Sequence, residues 1–210
     1  MSPSNYYKES ERYDDPETVT IFDEEKRSLD CYIENSVEFN GQIYYLLLPK
    51  DSPVVIMAEN NDDTENGDDD EVEETYIVED GKELETIFPD AKAVLAELEL
   101  TLKNTAYSLT VSGELPPIEE DNVITLELDD EEEDDDYDDD EDDDEDEVDT
   151  EELQFLASFY HYEQKYNVCT PLTPLLFVAR PNAKGKLELL APDDELLPQI
   201  LDELLFDEME

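Results

Sequence analysis

SPVVIMAE (Ser52 to Glu59) and TPLLFVAR (Thr173 to Arg180) align without a gap, and how this pair of segments is read decides the fold. A second pair, LETIFPD (Leu84 to Asp90) and LELLAPD (Leu187 to Asp193), follows in the same order, each ahead of Leu-rich sequence. Self-similarity of this kind marks a tandem duplication. In both halves the order is strand, polar turn, strand, hairpin, Pro-bracketed strand, loop, Leu-Glu, Pro-Asp, helix.

Outward from these segments, the first half reads as short strands over 18–22, 29–37, 42–48, 54–58 and 75–78, each apolar or alternating. Asn40-Gly41 is a hairpin turn, and Pro49 and Pro53 bracket the next connection. From Leu84 the spacing changes. Leu84, Ile87, Phe88, Ala91, Leu95, Leu98 and Leu102 recur every three or four residues, which predicts a helix lying on the sheet, kinked or restarted at Pro89. Strands are predicted again over 107–111 and 123–128, with a turn over 113–117. Periodicity leaves 153–162 open between helix and strand, and the duplication makes it a strand, the counterpart of 29–37. A second helix is predicted over 194–206, burying Leu196, Leu197, Ile200, Leu201, Leu204 and Leu205, with Pro198 tolerated in the first turn. The expected fold is α+β: two tandem β-rich modules, each an antiparallel sheet packed by one amphipathic helix. The expected divisions are a disordered tail over 1–16, a first module over 17–105 with an acidic loop at 60–74, and a second over 106–210 with a disordered acidic insertion at 129–150.

Charge shapes the rest. Nineteen of the 21 residues from Asp129 to Asp149 are acidic, and Asp62 to Glu74 holds nine carboxylates in 13 residues. Neither run has apolar surface to offset the entropy of ordering, so both read as loop insertions, which a fold tolerates because closure entropy grows only logarithmically with length. Outside them 37 acids still face 12 Lys and Arg, and the total is -53. Direct binding to nucleic-acid phosphates or anionic membranes is disfavoured, since cations are too few to neutralise them. The longest apolar stretches, 43–48 and 175–179, fall far short of the roughly 18 residues of a spanning helix. Residues 1–17 lack the features of a secretory signal or transit peptide, so a bacterial cytoplasm or stromal-type compartment is expected. Cys31 and Cys169 lack metal spacing and read as packed thiols, a disulfide between them being the lesser reading.

The first half, Thr18 to Glu59 with YIVEDGKELETI (Tyr76 to Ile87), resembles the small acidic YrzB-like family of unknown function in Gram-positive bacteria. The two-module arrangement with PLTPLLFVAR resembles uncharacterised acidic proteins of cyanobacteria and plastids. The resemblance implies a lineage, photosynthetic in part, and no activity or catalytic residue.

Asp62, Thr64, Asn66, Asp68, Asp70 and Glu73, with Gly67 sixth, fall at the ligand spacing of an EF-hand loop. Asp69 stands at the normally apolar eighth place and the flanks are strand-like, so the alternatives are chance spacing and loose millimolar calcium association; no other cofactor is expected. His161 has no neighbouring imidazole or thiol and reads as structural. No nucleophile elbow, zinc-binding helix motif, Walker loop or dinucleotide fingerprint occurs, and no enzyme activity is expected. The reading reached is a non-enzymatic adaptor, chaperone or assembly factor for a basic protein client, linked to photosynthetic complexes through the resemblance. The electrostatic contact is assigned to the run containing Asp134, Asp135, Asp136, Tyr137, Asp138, Asp139 and Asp140, with a sheet surface near Tyr44, Tyr45 and Tyr160 for specificity. Plain solubilisation by the run, a neutral-spacer role for Tyr137 and a core role for the other tyrosines stand beside it. The rival functions are a nucleic-acid mimic and a low-affinity calcium binder.

Overall fold

The computed structural model describes residues 17–59, 75–127 and 150–206. The strands are β1 (Thr18–Phe22), β2 (Ser28–Phe39), β3 (Gln42–Pro49), β4 (Ser52–Glu59), β5 (Thr75–Ile77), β6 (Thr101–Asn104), β7 (Leu109–Ser112), β8 (Val123–Glu127), β9 (Thr150–His161), β10 (Gln164–Pro171), β11 (Phe177–Pro181) and β12 (Leu187–Leu189). Two α-helices join them, α1 (Gly81–Glu97) and α2 (Leu197–Phe206). The fold is α+β and β-rich, as its alternating segments predict.

The strands form two antiparallel sheets, one ordered β1-β2-β3-β11-β12 and the other β6-β7-β4-β10-β9-β8, with β5 also on β4. Each sheet mixes the repeats. In the five-stranded sheet three consecutive strands of the first repeat are completed by β11 and β12 of the second; in the seven-stranded sheet β8, β9 and β10 of the second repeat are completed by β4 and β5 of the first. The helices follow. From α1, Ile87, Ala91 and Leu95 pack on Leu156, Phe159, Tyr166 and Val168 as well as Val54 and Ile56. From α2, Ile200 and Leu204 pack on Tyr44, Leu46 and Val178. The boundary at 105/106 therefore divides repeats in sequence but not sheets in space.

Register corrects the gapless alignment by one residue. Ile33, Leu47 and Phe177 lie in one cross-strand row, and Phe155, Cys169 and Val55 in the equivalent row of the other sheet. Phe177 thus corresponds to Val55, whereas the ungapped match sets it against Ile56. A one-residue offset exchanges the faces of a strand, and Ile56 accordingly faces α1 while Phe177 faces away from α2. LELLAPD is likewise no counterpart of LETIFPD. Leu187–Leu189 is strand, pairing with β11 as Thr75–Ile77 pairs with β4, and LETIFPD lies inside α1. Both sheets keep the same irregularity, a bulge at Glu34 in β2 and at Leu156 in β9.

Local chemistry sets the helix ends. The Asp80 carboxylate accepts from the Lys82 and Glu83 amides at 2.9 Å, satisfying two otherwise unpaired donors. Pro89 is carried within α1. At the far end Glu99 takes φ 60° and the Leu100 amide bonds back to the Leu95 carbonyl, so the apolar stripe leaves the helix before Leu98. Leu102 is a buried residue of β6, and its helical spacing from Leu98 is coincidental. α2 starts at Leu197, later than expected, because residues 191–196 form turns in which Asp194 accepts from the Leu196 and Leu197 amides.

Candidate functional site

The acidity extends to the folded part. The described residues hold 30 Asp and Glu against ten Lys and Arg. Ion pairs run from Arg27 to Asp23 and Glu25, from Lys103 to Asp51, and from Lys165 to Glu59. Burial acts to raise the Glu59 carboxyl, but hydrogen bonds from Lys165 and Asn167 and the Lys165 charge outweigh it and hold the group low. The residues flanking the two acidic runs lie at opposite ends of the seven-stranded sheet. Val55 and Phe155 share a row, β4 ends at Glu59 and β9 begins at Thr150, which separates the ends by about 30 Å at strand rise. The run members Asp134, Asp135, Asp136, Tyr137, Asp138, Asp139 and Asp140 and the calcium candidates Asp62, Asn66, Asp68 and Glu73 lie outside the described residues.

The three tyrosines do not share a surface. Tyr44 is 3% exposed beneath α2, so it belongs to the core and not to a partner-facing sheet. Tyr45, its neighbour on β3, points to the opposite face and is half-buried beside Leu47 and Phe177. Tyr160 is 66% exposed on the other sheet, opposite Lys165, which is ion-paired with Glu59 at the end of β4. Strand alternation makes the split inevitable, since adjacent residues of one strand cannot face one partner. His161 fastens the β9-β10 hairpin to α1 through an Nδ1 to Asp90 Oδ2 contact of 2.7 Å, while its buried Nε2 has no partner among the described residues.

Cys31 in β2 and Cys169 in β10 are buried, free and in different sheets. Burial pushes their thiols up, to about 11 for Cys31, where the Asp30 charge adds to it, and to about 12 for Cys169. Both groups stay neutral at pH 8, and both ionise in the unfolded chain as pH rises through the ordinary thiol range near 8.5, which favours unfolding at alkaline pH. Iodoacetamide at pH 8 is expected to leave the native protein unlabelled and to add two carbamidomethyl groups in urea, as read by intact mass; labelling of the native protein at the unfolded rate would contradict this burial.

A feature with no clear sequence signature is an open groove of about 1410 Å³ on the five-stranded sheet, on the face away from α2. The β1-β2 turn, Tyr107 and the residues around β12 line it. The Tyr107 ring meets Phe177 at 5.8 Å, and its hydroxyl donates to the Phe22 carbonyl at 2.9 Å. Burial raises the Tyr107 hydroxyl above its ordinary range, and the Asp23 and Glu24 charges add to this. Arg27 braces the turn through Asp23, Glu25 and Asn104. Phe22, 61% exposed, is the one hint in sequence: an aromatic at the very end of β1, beside the acidic turn that lines the groove.

The profile of a family described as protein of unknown function (DUF3727) matches residues 99–138 and 127–208. That of a second, protein of unknown function (DUF1292), matches residues 24–96. The matches fall on the second and first repeats in turn, a tandem form of domains of unknown function. No curated protein and no solved structure matches the chain.

Proposed function

The chain belongs to the family described as protein of unknown function (DUF3727), whose matches span just over half of it, and from that premise we propose a non-enzymatic acidic adaptor, chaperone or assembly factor that holds a basic protein client. The observation that carries this reading is the three-to-one excess of carboxylates over cations within the folded scaffold itself, beyond what the two acidic runs contribute. A field of one sign attracts a cationic partner, speeds encounter and repels wrong partners, while shape and apolar contact supply selection. Exposed Tyr160 and the groove of Phe22 and Tyr107 offer such contact. We place the first repeat in the YrzB-like lineage and the whole chain among acidic proteins of cyanobacteria and plastids, acting in the cytoplasm or a stromal-type compartment beside photosynthetic complexes.

The test is deletion of residues 129–149. The shortened chain is expected to keep its circular dichroism spectrum and melting behaviour while partner capture falls several-fold at about 20 mM salt and little above about 0.3 M, where screening has shortened the reach of charge. Unchanged capture, or loss of the fold, would remove the run from the binding mechanism. Capture in the presence of added DNA or RNA separates the two binding readings, because a nucleic-acid mimic loses its client to the competitor and an assembly factor does not.

A further inference from the structure

We infer that the surface joining the two halves of this chain also accepts the matching half of a second copy, and does so when the chain's own half is kept out of reach. The first half, through Ser112, ends one sheet at the free edge of β3 and, beyond Lys50 and Asp51, presents β4 and α1 to the other sheet. The second half, from Val123, ends its sheet at the free edge of β10 and presents β11 and α2 in return. Each half therefore offers what the other lacks: a strand edge, and a helix for the apolar face of the partner's hairpin. Parted, they would bare four strand edges, and bare edges pair with whatever complementary strand they meet. Nothing in the pairing of Leu46 with Val178 or of Val168 with Ile56 requires the two strands to come from one molecule.

Only the connection enforces that, and its length is measurable. Residues 113–122 cross from β7 to β8, two strands that run parallel, over the width of β4, β10 and β9. Four strand spacings make about 19 Å across, the three-residue step along the strands from the level of Ser112 to that of Val123 adds about 10 Å at right angles for a span of about 21 Å, and ten linking residues reach about 36 Å when extended. Gln154, the residue of β9 that pairs with Val123, holds the crossing, its Nε2 donating to the carbonyls of Pro116 at 2.9 Å and Pro117 at 3.4 Å. With this slack the ends of one chain meet at millimolar effective concentration, and self-closure prevails at ordinary dilution. Removing residues 114–119 leaves four linking residues and a reach of about 17 Å, too short to close. Two such chains can still close on each other by reciprocal exchange, which uses every edge and leaves none open.

The expected result for the chain lacking residues 114–119 is a dimer by light scattering, with the circular dichroism spectrum of the full chain and mixed dimers when tagged and untagged copies are refolded together. A natively folded monomer would overturn the inference. Should the shortened chain be unfolded, the full chain with a protease site inserted after Pro117, beside exposed Ile118, decides the matter. After cleavage the pieces are expected to run as one native species, to lose their structure when separated in urea, and to regain it on mixing. Pieces that drift apart, whether folded or unfolded, refute it.

Discussion

In a Leu204→Ala variant the unfolding free energy falls by about 2 to 5 kcal/mol, and the first amides to lose protection are those of β2 and β3, more than 150 residues upstream. Leu204 is 1% exposed and packs with Ile200, Tyr44, Leu46 and Val178, so truncation opens a cavity between α2 and the five-stranded sheet. Its carbonyl also accepts from the Asn35 side chain at 2.6 Å, on the bulged stretch of β2. Were each repeat a closed module, α2 would cover β9 and β10, and those strands would open first. Hydrogen exchange read by mass spectrometry distinguishes the two patterns directly, because opening free energies follow the cooperative unit to which a strand belongs. Early loss at β9 and β10 with β2 and β3 unaffected would show that the repeats do not exchange helices in solution.

Gly113→Ala is expected to lower stability by about 3 kcal/mol or more, from backbone strain and overpacking together. Gly113 holds φ 132°, and a Cβ there would stand 2.9 Å from both the Glu99 carbonyl oxygen and Leu100 Cδ2. The oxygen belongs to the left-handed residue that ends α1, and Leu100 is buried in the α1 core, so neither has room to retreat. Gly41 is the control: its φ is 77° but nothing lies within 4 Å, so Gly41→Ala meets backbone strain alone, about 1 kcal/mol. At this chain length each kcal/mol moves the midpoint by roughly 2 to 4 °C, and thermal melts should place Gly113→Ala well below Gly41→Ala. Equal melting points would mean that the turn after β7 is looser than its contacts with Glu99 and Leu100 indicate.

Much of this architecture is local chemistry and reads directly from the residues. Alternation marks β2 and β3, Asn40-Gly41 marks the turn between them, and Ile87, Ala91 and Leu95 mark the buried side of α1. The duplication also turned 153–162 from an ambiguous segment into β9. The site was less legible. Tyr44 and Tyr45 are adjacent in sequence and look alike there, yet one lies under α2 and the other faces away, and the groove assembles Phe22, Tyr107, Phe177 and Leu187 from distant parts of the chain.

By itself the sequence determined the class of the fold, the positions of most strands, the helix stripe and the anionic character, because each depends on neighbours a few residues apart. Only the tertiary structure decided which strand lies beside which, the one-residue offset between the repeats, and the crossing of each helix to the other repeat's sheet. The physical reason is that every antiparallel edge presents the same alternating amides and carbonyls. A strand pattern is therefore silent about its partner, and the choice between β10 and β3 for the edge of β4 falls to loop reach and to the fit of side chains that meet only once the chain has folded.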